Sequence, residues 1–98
     1  MAQVVPLNWV GSFCNFGGPL ASGETDYWWA AGGDWGRDNR AYLFTAFCDG
    51  SVAAEIVVRN IGHYRSGHDE TRFEIHNSGS SQPVYYYFYI AWSSPIEI

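Results

Sequence analysis

Two polar segments of the sequence carry side chains that could hydrogen-bond a hydroxyl-rich ligand. The first runs from residue 33 to residue 40 and contains Trp35, Gly36 and Asp38. A carboxylate can accept hydrogen bonds from two neighbouring hydroxyl groups, and glycine lets the backbone approach a ligand closely. An ordinary surface loop with an aspartate–arginine pair would have the same composition, so the sequence leaves both interpretations open.

The second polar segment is His76–Asn77, which lies between a strand-like alternation and a Gly/Ser-rich stretch. It offers an imidazole and a side-chain amide near the end of a strand, where both could contact a ligand. Asparagine in such a position is also typical of a residue that caps a turn by bonding to nearby backbone. Turn capping is therefore the alternative for this pair.

Aromatic residues make up 18% of the 98-residue chain. A core of this size cannot bury all of these rings, so we expect some on the surface. In the run Tyr27–Trp28–Trp29, alternation along a strand turns the tryptophans to opposite faces. We therefore expect one tryptophan in the core and one exposed, where its ring could stack on the apolar face of a sugar.

Charge and composition exclude several function classes. The formal net charge is −5, with five arginines and no lysine, so the chain is poorly suited to neutralise a nucleic-acid backbone. No apolar run reaches the roughly 18 residues of a membrane span. The first 13 residues have neither a basic start nor a long apolar run, which predicts no secretory signal and leaves localisation undetermined.

No catalytic motif stands out, and we predict no enzymatic activity and no cofactor. A metalloenzyme using His63, His68 and His76 is an alternative, but their spacing matches no standard site, so we expect no metal. Cys14 and Cys48 are as compatible with one disulfide as with two buried thiols.

Short β-strands must position these residues, because eleven glycines and four prolines interrupt the chain too often for long helices. We therefore predict an all-β fold, a single-domain antiparallel β-sandwich of about six strands over residues 1–98. Asp49–Gly50 is predicted to form a hairpin turn and residues 17–23 a loop. The predicted strands are 4–16, 41–48, 52–64, 72–76 and 84–92, with a further aromatic segment at 27–29.

The strand at 84–92 is aromatic on both faces. Period two places Tyr85, Tyr87, Tyr89 and Ala91 on one side, and the other side is predicted to face the core. Such a strand would aggregate at a sheet edge, so we expect it to be central or at an interface, with its tyrosines against another subunit. In 72–76, Phe73 and Ile75 are predicted to face the core.

Two short motifs resemble the H-type lectin family. The run 36–39, Gly-Arg-Asp-Asn, is similar to a loop of that family, and His76–Asn77 with the strand ending at Trp92 resembles its Trp-His-Asn segment and closing strand. The strand containing Arg59 resembles the family's middle strand, at a fitting distance before His76. Ile75 stands where the family has a stacking aromatic ring, and the cysteine positions differ.

The resemblance implies a six-stranded antiparallel sandwich that binds terminal N-acetylgalactosamine, galactose or a related sugar. It also implies a homo-oligomer, a trimer or hexamer, with sites shared between subunits. Gly36, Asp38 and His76 would contact the sugar hydroxyls, and Asn77 and Arg59 would lie nearby. Trp35 or Tyr64 would supply the stacking ring.

The leading hypothesis is thus a lectin without catalysis, whose partners are glycans. The alternative is a receptor- or protein-binding sandwich of the phage fibre tip or toxin B-subunit type. That alternative predicts a surface that recognises a protein and ignores free monosaccharides.

Overall fold

Alternation of apolar and polar residues produces six β-strands in the part of the chain that the structure describes. A computed structural model describes residues 2, 4–31, 39–65 and 69–97, including all of their side chains except those of Ala31 and Arg65. No helix long and apolar enough to cross a membrane occurs among these residues. The strands are β1 (Trp9–Leu20), β2 (Thr25–Ala31), β3 (Tyr42–Cys48), β4 (Ala54–Arg65), β5 (Asp69–Ser80) and β6 (Val84–Ser93).

These strands form two antiparallel sheets of three strands, in the orders β1–β6–β3 and β2–β5–β4. The sheets pack face to face, which confirms the predicted all-β sandwich. The strand rich in tyrosine, β6, is central in its sheet, as its apolar character on both faces requires. The strand β5 is central in the other sheet and carries the side chains that matter most below.

The core lies between the two central strands and confirms the alternation predicted for both. Phe73 and Ile75 of β5 face Tyr86, Phe88 and Ile90 of β6, and all five are almost fully buried. Phe73 and Phe88 meet edge to face with their ring centroids 5.3 Å apart. Because adjacent residues of a strand point to opposite faces, burying this set exposes the intervening polar residues of β5 and the tyrosines of β6.

Two hydrogen bonds cross the core and connect Tyr86 to β2. The Trp28 indole donates to the Tyr86 hydroxyl at 2.8 Å, and that hydroxyl donates to Oδ2 of Asp26 at 2.6 Å. Burial raises the pKa of Tyr86, and the bond to Asp26 raises it further. The phenol therefore stays protonated and satisfies both partners. Trp28 thus faces inward and Trp29 outward, as predicted.

Local predictions are wrong at four places. The strand predicted at 4–16 begins only at Trp9, and the strand predicted at 72–76 extends over Asp69–Ser80. The turn at Asp49–Gly50 forms, with the Val52 amide donating to the Asp49 carbonyl, but β3 and β4 belong to different sheets, so it does not close a hairpin. The chain crosses between sheets here because β3 pairs with β6. Residues 17–20, expected in a loop, continue β1 instead, and Gly17 lies against the Tyr86 ring, where a side chain would not fit.

The two cysteines are free thiols and do not face each other. Cys14 pairs with Tyr89 on the outer side of β1–β6–β3, whereas Cys48 pairs with Tyr86 on the core side. They flank β6 on opposite strands and point to opposite faces of the sheet. The sequence left a disulfide open, and this placement excludes an intramolecular one in this fold.

Candidate functional site

The outer face of the sheet β2–β5–β4 gathers aromatic and charged side chains in three adjacent columns. We call it the polar–aromatic face. The strand register places Thr25, Tyr27 and Trp29 of β2 opposite His76, Glu74 and Arg72 of β5. Arg59 of β4 lies opposite Glu74 on the other side, and Tyr64 lies opposite Glu70. Directly paired side chains of an antiparallel sheet are in contact distance, so these columns form one continuous surface.

The β2 column presents two large rings to solvent. Tyr27 is 70% exposed and Trp29 66% exposed. They are two residues apart on one strand, so their Cα atoms are separated by about 7 Å. Together with Asn60, Arg72 and Glu74 they line a shallow groove of about 520 Å³. A groove of this size, with rings along one wall and polar groups on the other, is suited to a small solute.

A bulge in β4 brings Asn60 to this face. The register shifts between Arg59 and Gly62, and Asn60 has φ 55°, a left-handed conformation that asparagine tolerates better than most residues. Regular alternation would place the side chain after Arg59 on the core side. The bulge instead lets the Asn60 amide donate to Oε2 of Glu74 at 2.9 Å.

Glu74 is the acceptor at the centre of the face. Its Oε1 accepts from Nε of Arg59 at 3.1 Å, and its Oε2 accepts from Asn60. The bond from Asn60, with a smaller effect from Arg59, holds the pKa of Glu74 below its ordinary value of 4.5. Since each carboxylate oxygen has two lone pairs, an ionised Glu74 can still accept hydrogen bonds from a ligand.

His76 and Arg59 are connected through the hydroxyl of Thr25. The Thr25 oxygen lies 2.8 Å from Nδ1 of His76 and accepts from Nη2 of Arg59 at 3.3 Å. The hydroxyl can accept from an Nδ1–H as well as from Arg59, or donate to an unprotonated Nδ1, so the histidine tautomer determines the direction of this bond. In the tautomer that is protonated at Nε2, the Thr25 hydroxyl donates to Nδ1 and Nε2 is a donor.

Arg72 is held at the opposite end of the face. Its guanidinium carbon lies 3.8 Å from the centre of the Tyr64 ring, and its Nε donates to Oε1 of the nearly buried Glu70. Stacking and ion pairing together restrict this long side chain, which lowers the entropy lost when a ligand contacts it.

The structure brings together two of the site residues predicted from the sequence, His76 and Arg59, on the polar–aromatic face. Trp35, Gly36 and Asp38 lie outside the residues that the structure describes, so their roles stay predictions. Asn77 follows His76 in the chain but faces the core with no exposed surface. The adjacent residues therefore point to opposite faces of β5.

Asn77 fixes the turn between β1 and β2 against the end of β5. Its Nδ2 donates to the Leu20 carbonyl at 3.2 Å and to Oγ of Ser80 at 2.8 Å, and its Oδ1 accepts from the Gly79 amide at 3.1 Å. Its backbone amide also donates to the Glu24 carbonyl. These contacts are those of the turn-capping alternative, and they leave no side-chain surface of Asn77 for a solute.

Replacing Asn77 by alanine should therefore destabilise the fold rather than act on a ligand directly. The change leaves a buried carbonyl without its donor and the Gly79 amide without its acceptor, which costs about 2 kcal/mol or more. Urea denaturation measures the loss. Ser78→Ala, one residue along and exposed, is the control and should leave the midpoint unchanged; equal midpoints for both variants would contradict the structural role of Asn77.

The two described histidines that were considered as metal ligands, His63 and His76, do not lie together. His63 is exposed, pairs with Thr71 and borders an open cleft that Tyr42 and Phe44 of β3 also line. His76 lies on the polar–aromatic face, and His68 lies outside the described part of the chain. Within the described ranges, no three His, Cys, Asp or Glu side chains converge to hold a metal ion.

Thr25, Asn60 and Glu74 belong to this site and were not predicted from the sequence. Glu74 had a visible signal, because it shares a strand face with His76 two residues away. The signal for Asn60 was weaker, an Asn-Ile-Gly run inside an apolar strand that indicates a bulge. Nothing local indicated Thr25, whose role depends on pairing with a strand some 50 residues later.

Searches of protein-family models, curated proteins and solved structures find no significant match to this chain. The function of the protein is therefore inferred from the geometry of the polar–aromatic face and the chemistry of its side chains.

Proposed function

We propose that this protein is a carbohydrate-binding protein without catalytic activity and that the polar–aromatic face is its binding surface. The observation that carries the proposal is the pair of exposed rings, Tyr27 and Trp29, beside an ionised carboxylate held by Arg59 and Asn60. A sugar ring has one face of C–H groups and a rim of hydroxyls, and this surface offers a partner for each.

The rings would carry most of the contact. Both lie on a strand whose backbone is paired to β5, so they are presented with little freedom to lose on binding. A pyranose resting on these rings would extend toward the β5 column, where Arg72 lies opposite Trp29 and Glu74 lies opposite Tyr27. His76 is the next residue of that column beyond Glu74 and would contact a longer glycan. The polar groups then determine which hydroxyl orientation fits, while the rings contribute area.

Two carboxylates of the polar–aromatic face, Glu70 and Glu74, do not resemble a hydrolytic pair. Glycoside hydrolases place two carboxyl groups about 5 to 9.5 Å apart. Glu70 and Glu74 lie on one face of β5 four residues apart, about 13 Å along the strand, and Glu70 is nearly buried and paired with Arg72. This supports binding rather than hydrolysis.

The resemblance to the H-type lectins directs the choice of sugars. Terminal N-acetylgalactosamine and galactose are the first to test, and Gly36, Asp38 and Trp35 remain proposed contacts to them. The proposed homo-oligomer would carry more than one site, so multivalent contact with glycans would raise avidity without a new contact at each site.

A glycan array probed with the purified protein tests the proposal. We expect binding to a group of glycans with a shared terminal sugar, and competition by that free sugar. A protein receptor, the alternative partner class, predicts no array signal and binding that free monosaccharides leave unchanged. An empty array, with no competition in a direct sugar titration, would overturn the carbohydrate proposal.

Glu74→Gln should weaken glycan binding about tenfold, because the variant loses a charged acceptor and presents an amide to its former donors Asn60 and Arg59. Glu55→Gln makes the same change in net charge at an exposed glutamate of β4 that bonds neither donor and should bind normally. Isothermal titration with the sugar selected on the array gives both affinities.

The same carboxylate predicts a pH dependence. Because Asn60 and Arg59 hold the pKa of Glu74 below its ordinary value, its acceptor form persists to lower pH than in an ordinary glutamate and is lost as pH falls through the lowered pKa. The part of the affinity that Glu74→Gln removes should therefore be lost with a midpoint below pH 4.5. A Glu74 contribution that is already lost at pH 6 would contradict this assignment.

A further inference from the structure

The outer face of the other sheet, β1–β6–β3, is large, aromatic and uncharged. We call it the apolar face. The register places eleven described residues on it, none of them charged: Ser12, Cys14, Phe16, Pro19, Leu43, Thr45, Phe47, Tyr85, Tyr87, Tyr89 and Ala91. Its rings form a connected set, with Tyr87 stacked on Phe47 at 5.5 Å and in contact with Phe16 and Tyr89 at 6.1 Å.

We infer that two copies of this chain pair through their apolar faces to form a symmetric dimer. The inference concerns assembly, does not depend on sugar binding, and differs from the trimer or hexamer that the resemblance to the H-type lectins implies. A two-fold pairing brings the same patch of each copy together, so the patch must complement itself. A face without charges meets the electrostatic part of this condition, since two copies oppose no like charges there.

The exposed area is sufficient for a specific dimer. Phe16, Phe47, Tyr85 and Tyr89 leave between 42% and 82% of their surface exposed. With about 200 Å² for a large ring, these four alone expose roughly 500 Å² in each copy. Pairing would bury about 1,000 Å² in total from the rings, the lower size of a biological interface, before Leu43 and the smaller residues are added.

Charge argues against an anionic membrane as the occupant of the apolar face. The chain carries a net charge of −5. Two ion pairs, Arg59–Glu74 and Arg72–Glu70, lie on the polar–aromatic face of the opposite sheet. An acidic protein is repelled by anionic lipid, and the apolar face has no arginine to offset that repulsion. Two copies joined here keep those ion pairs on the outside of the assembly.

The pairing also determines how the two polar–aromatic faces of the dimer are oriented, and this point rests on the proposed function. The two sheets of one sandwich point their outer faces in opposite directions. Joining the apolar faces makes a stack of four sheets, spaced about 10 Å apart, with one polar–aromatic face on each outer surface, about 30 Å from the other. The dimer would therefore bridge two glycan-bearing surfaces rather than bind twice to one.

Sedimentation of the full chain over a range of micromolar concentrations tests the assembly. We expect a dimer that 0.5 M salt does not dissociate. The double variant Phe16→Glu/Leu43→Glu should be monomeric, because it places carboxylates in the apolar face. Ile61→Glu, on β4 and as exposed as Leu43, is the control and should stay dimeric. A wild-type monomer, a trimer, or a dimer that persists in the double variant would overturn the inference.

Cys14 gives a second measurement on the unmodified protein. It is exposed and lies on the apolar face beside Tyr89, so pairing should shield it. Alkylation of Cys14 should be at least severalfold slower at concentrations where the dimer forms than at high dilution. A rate independent of concentration in a dimeric sample would place the contact elsewhere and overturn the inference.

Bridging is scored separately with sugar-coated beads. The wild-type dimer should aggregate them, and the double variant should bind the beads without aggregating them. A dimer that passes the sedimentation and alkylation tests but binds no sugar would leave the assembly standing and count against the proposed function alone.

Discussion

Replacing Trp29 by alanine is expected to weaken glycan binding at least tenfold, and replacing Tyr27 as well is expected to abolish it. Trp29 is 66% exposed on the polar–aromatic face, so its ring contributes little to the core and is available to cover a sugar. A ring contact of this kind contributes area burial plus about 0.5–1.5 kcal/mol, and tenfold in affinity corresponds to about 1.4 kcal/mol. Titration of the sugar selected on the array measures the effect.

The graded variants distinguish stacking from a general disturbance of the sheet. Trp29→Phe keeps a ring and should retain part of the affinity, whereas Trp29→Ala should not. Trp9→Ala removes a half-exposed tryptophan from β1, in the other sheet, and should bind sugar normally. If Trp9→Ala and Trp29→Ala lose affinity equally, or if neither does, the polar–aromatic face is not the binding surface.

Gly17→Ala is expected to be the most destabilising of the glycine-to-alanine changes in the part of the chain that the structure describes. The added Cβ would overlap the ring of Tyr86, which is almost fully buried. That ring cannot swing away without breaking its hydroxyl bonds to Trp28 and Asp26. Overpacking typically costs 1–3 kcal/mol, and we expect about 3 kcal/mol here, which lowers the melting temperature of a domain this size by more than about 10 °C.

Circular dichroism during heating measures this loss, and Gly62→Ala is its matched control. Gly62 lies in β4 with no atom within 4 Å of an added Cβ, so the same substitution meets no obstacle there. We expect its melting temperature to stay within a few degrees of that of the wild type. A Gly17→Ala protein that melts with the wild type would mean that β1 does not approach Tyr86 as closely as described.

Strand faces were predictable wherever alternation was clear. In β5 and β6 the sequence alternates so regularly that Phe73, Ile75, Tyr86 and Phe88 could be assigned to the core, and the structure confirms it. The same alternation predicted that the adjacent tryptophans of β2 would separate. Period two is a local property of an extended chain, so it can be recognised without knowing the partner strand.

Pairing between strands was not predictable in the same way. The turn at Asp49–Gly50 has the composition of a hairpin, yet β3 joins β6 and β4 joins β5. Which strands pair depends on how two sheets bury their faces against each other, and a local turn motif does not contain that information. The loop predicted at Gly17 was wrong for the same reason. This glycine leaves room for the ring of Tyr86, which is 69 residues away in the chain.

The sequence by itself determined that this small acidic chain folds as a β-sandwich, that its rings exceed what its core can bury, and that His76 and Arg59 are candidates for a site. The tertiary structure alone decided where the surplus rings lie. It places Tyr27 and Trp29 beside Glu74 on one outer face and the tyrosines of β6 on the opposite, uncharged one. The physical reason is that composition determines how many rings remain exposed, whereas strand pairing across two sheets determines which of them share a surface.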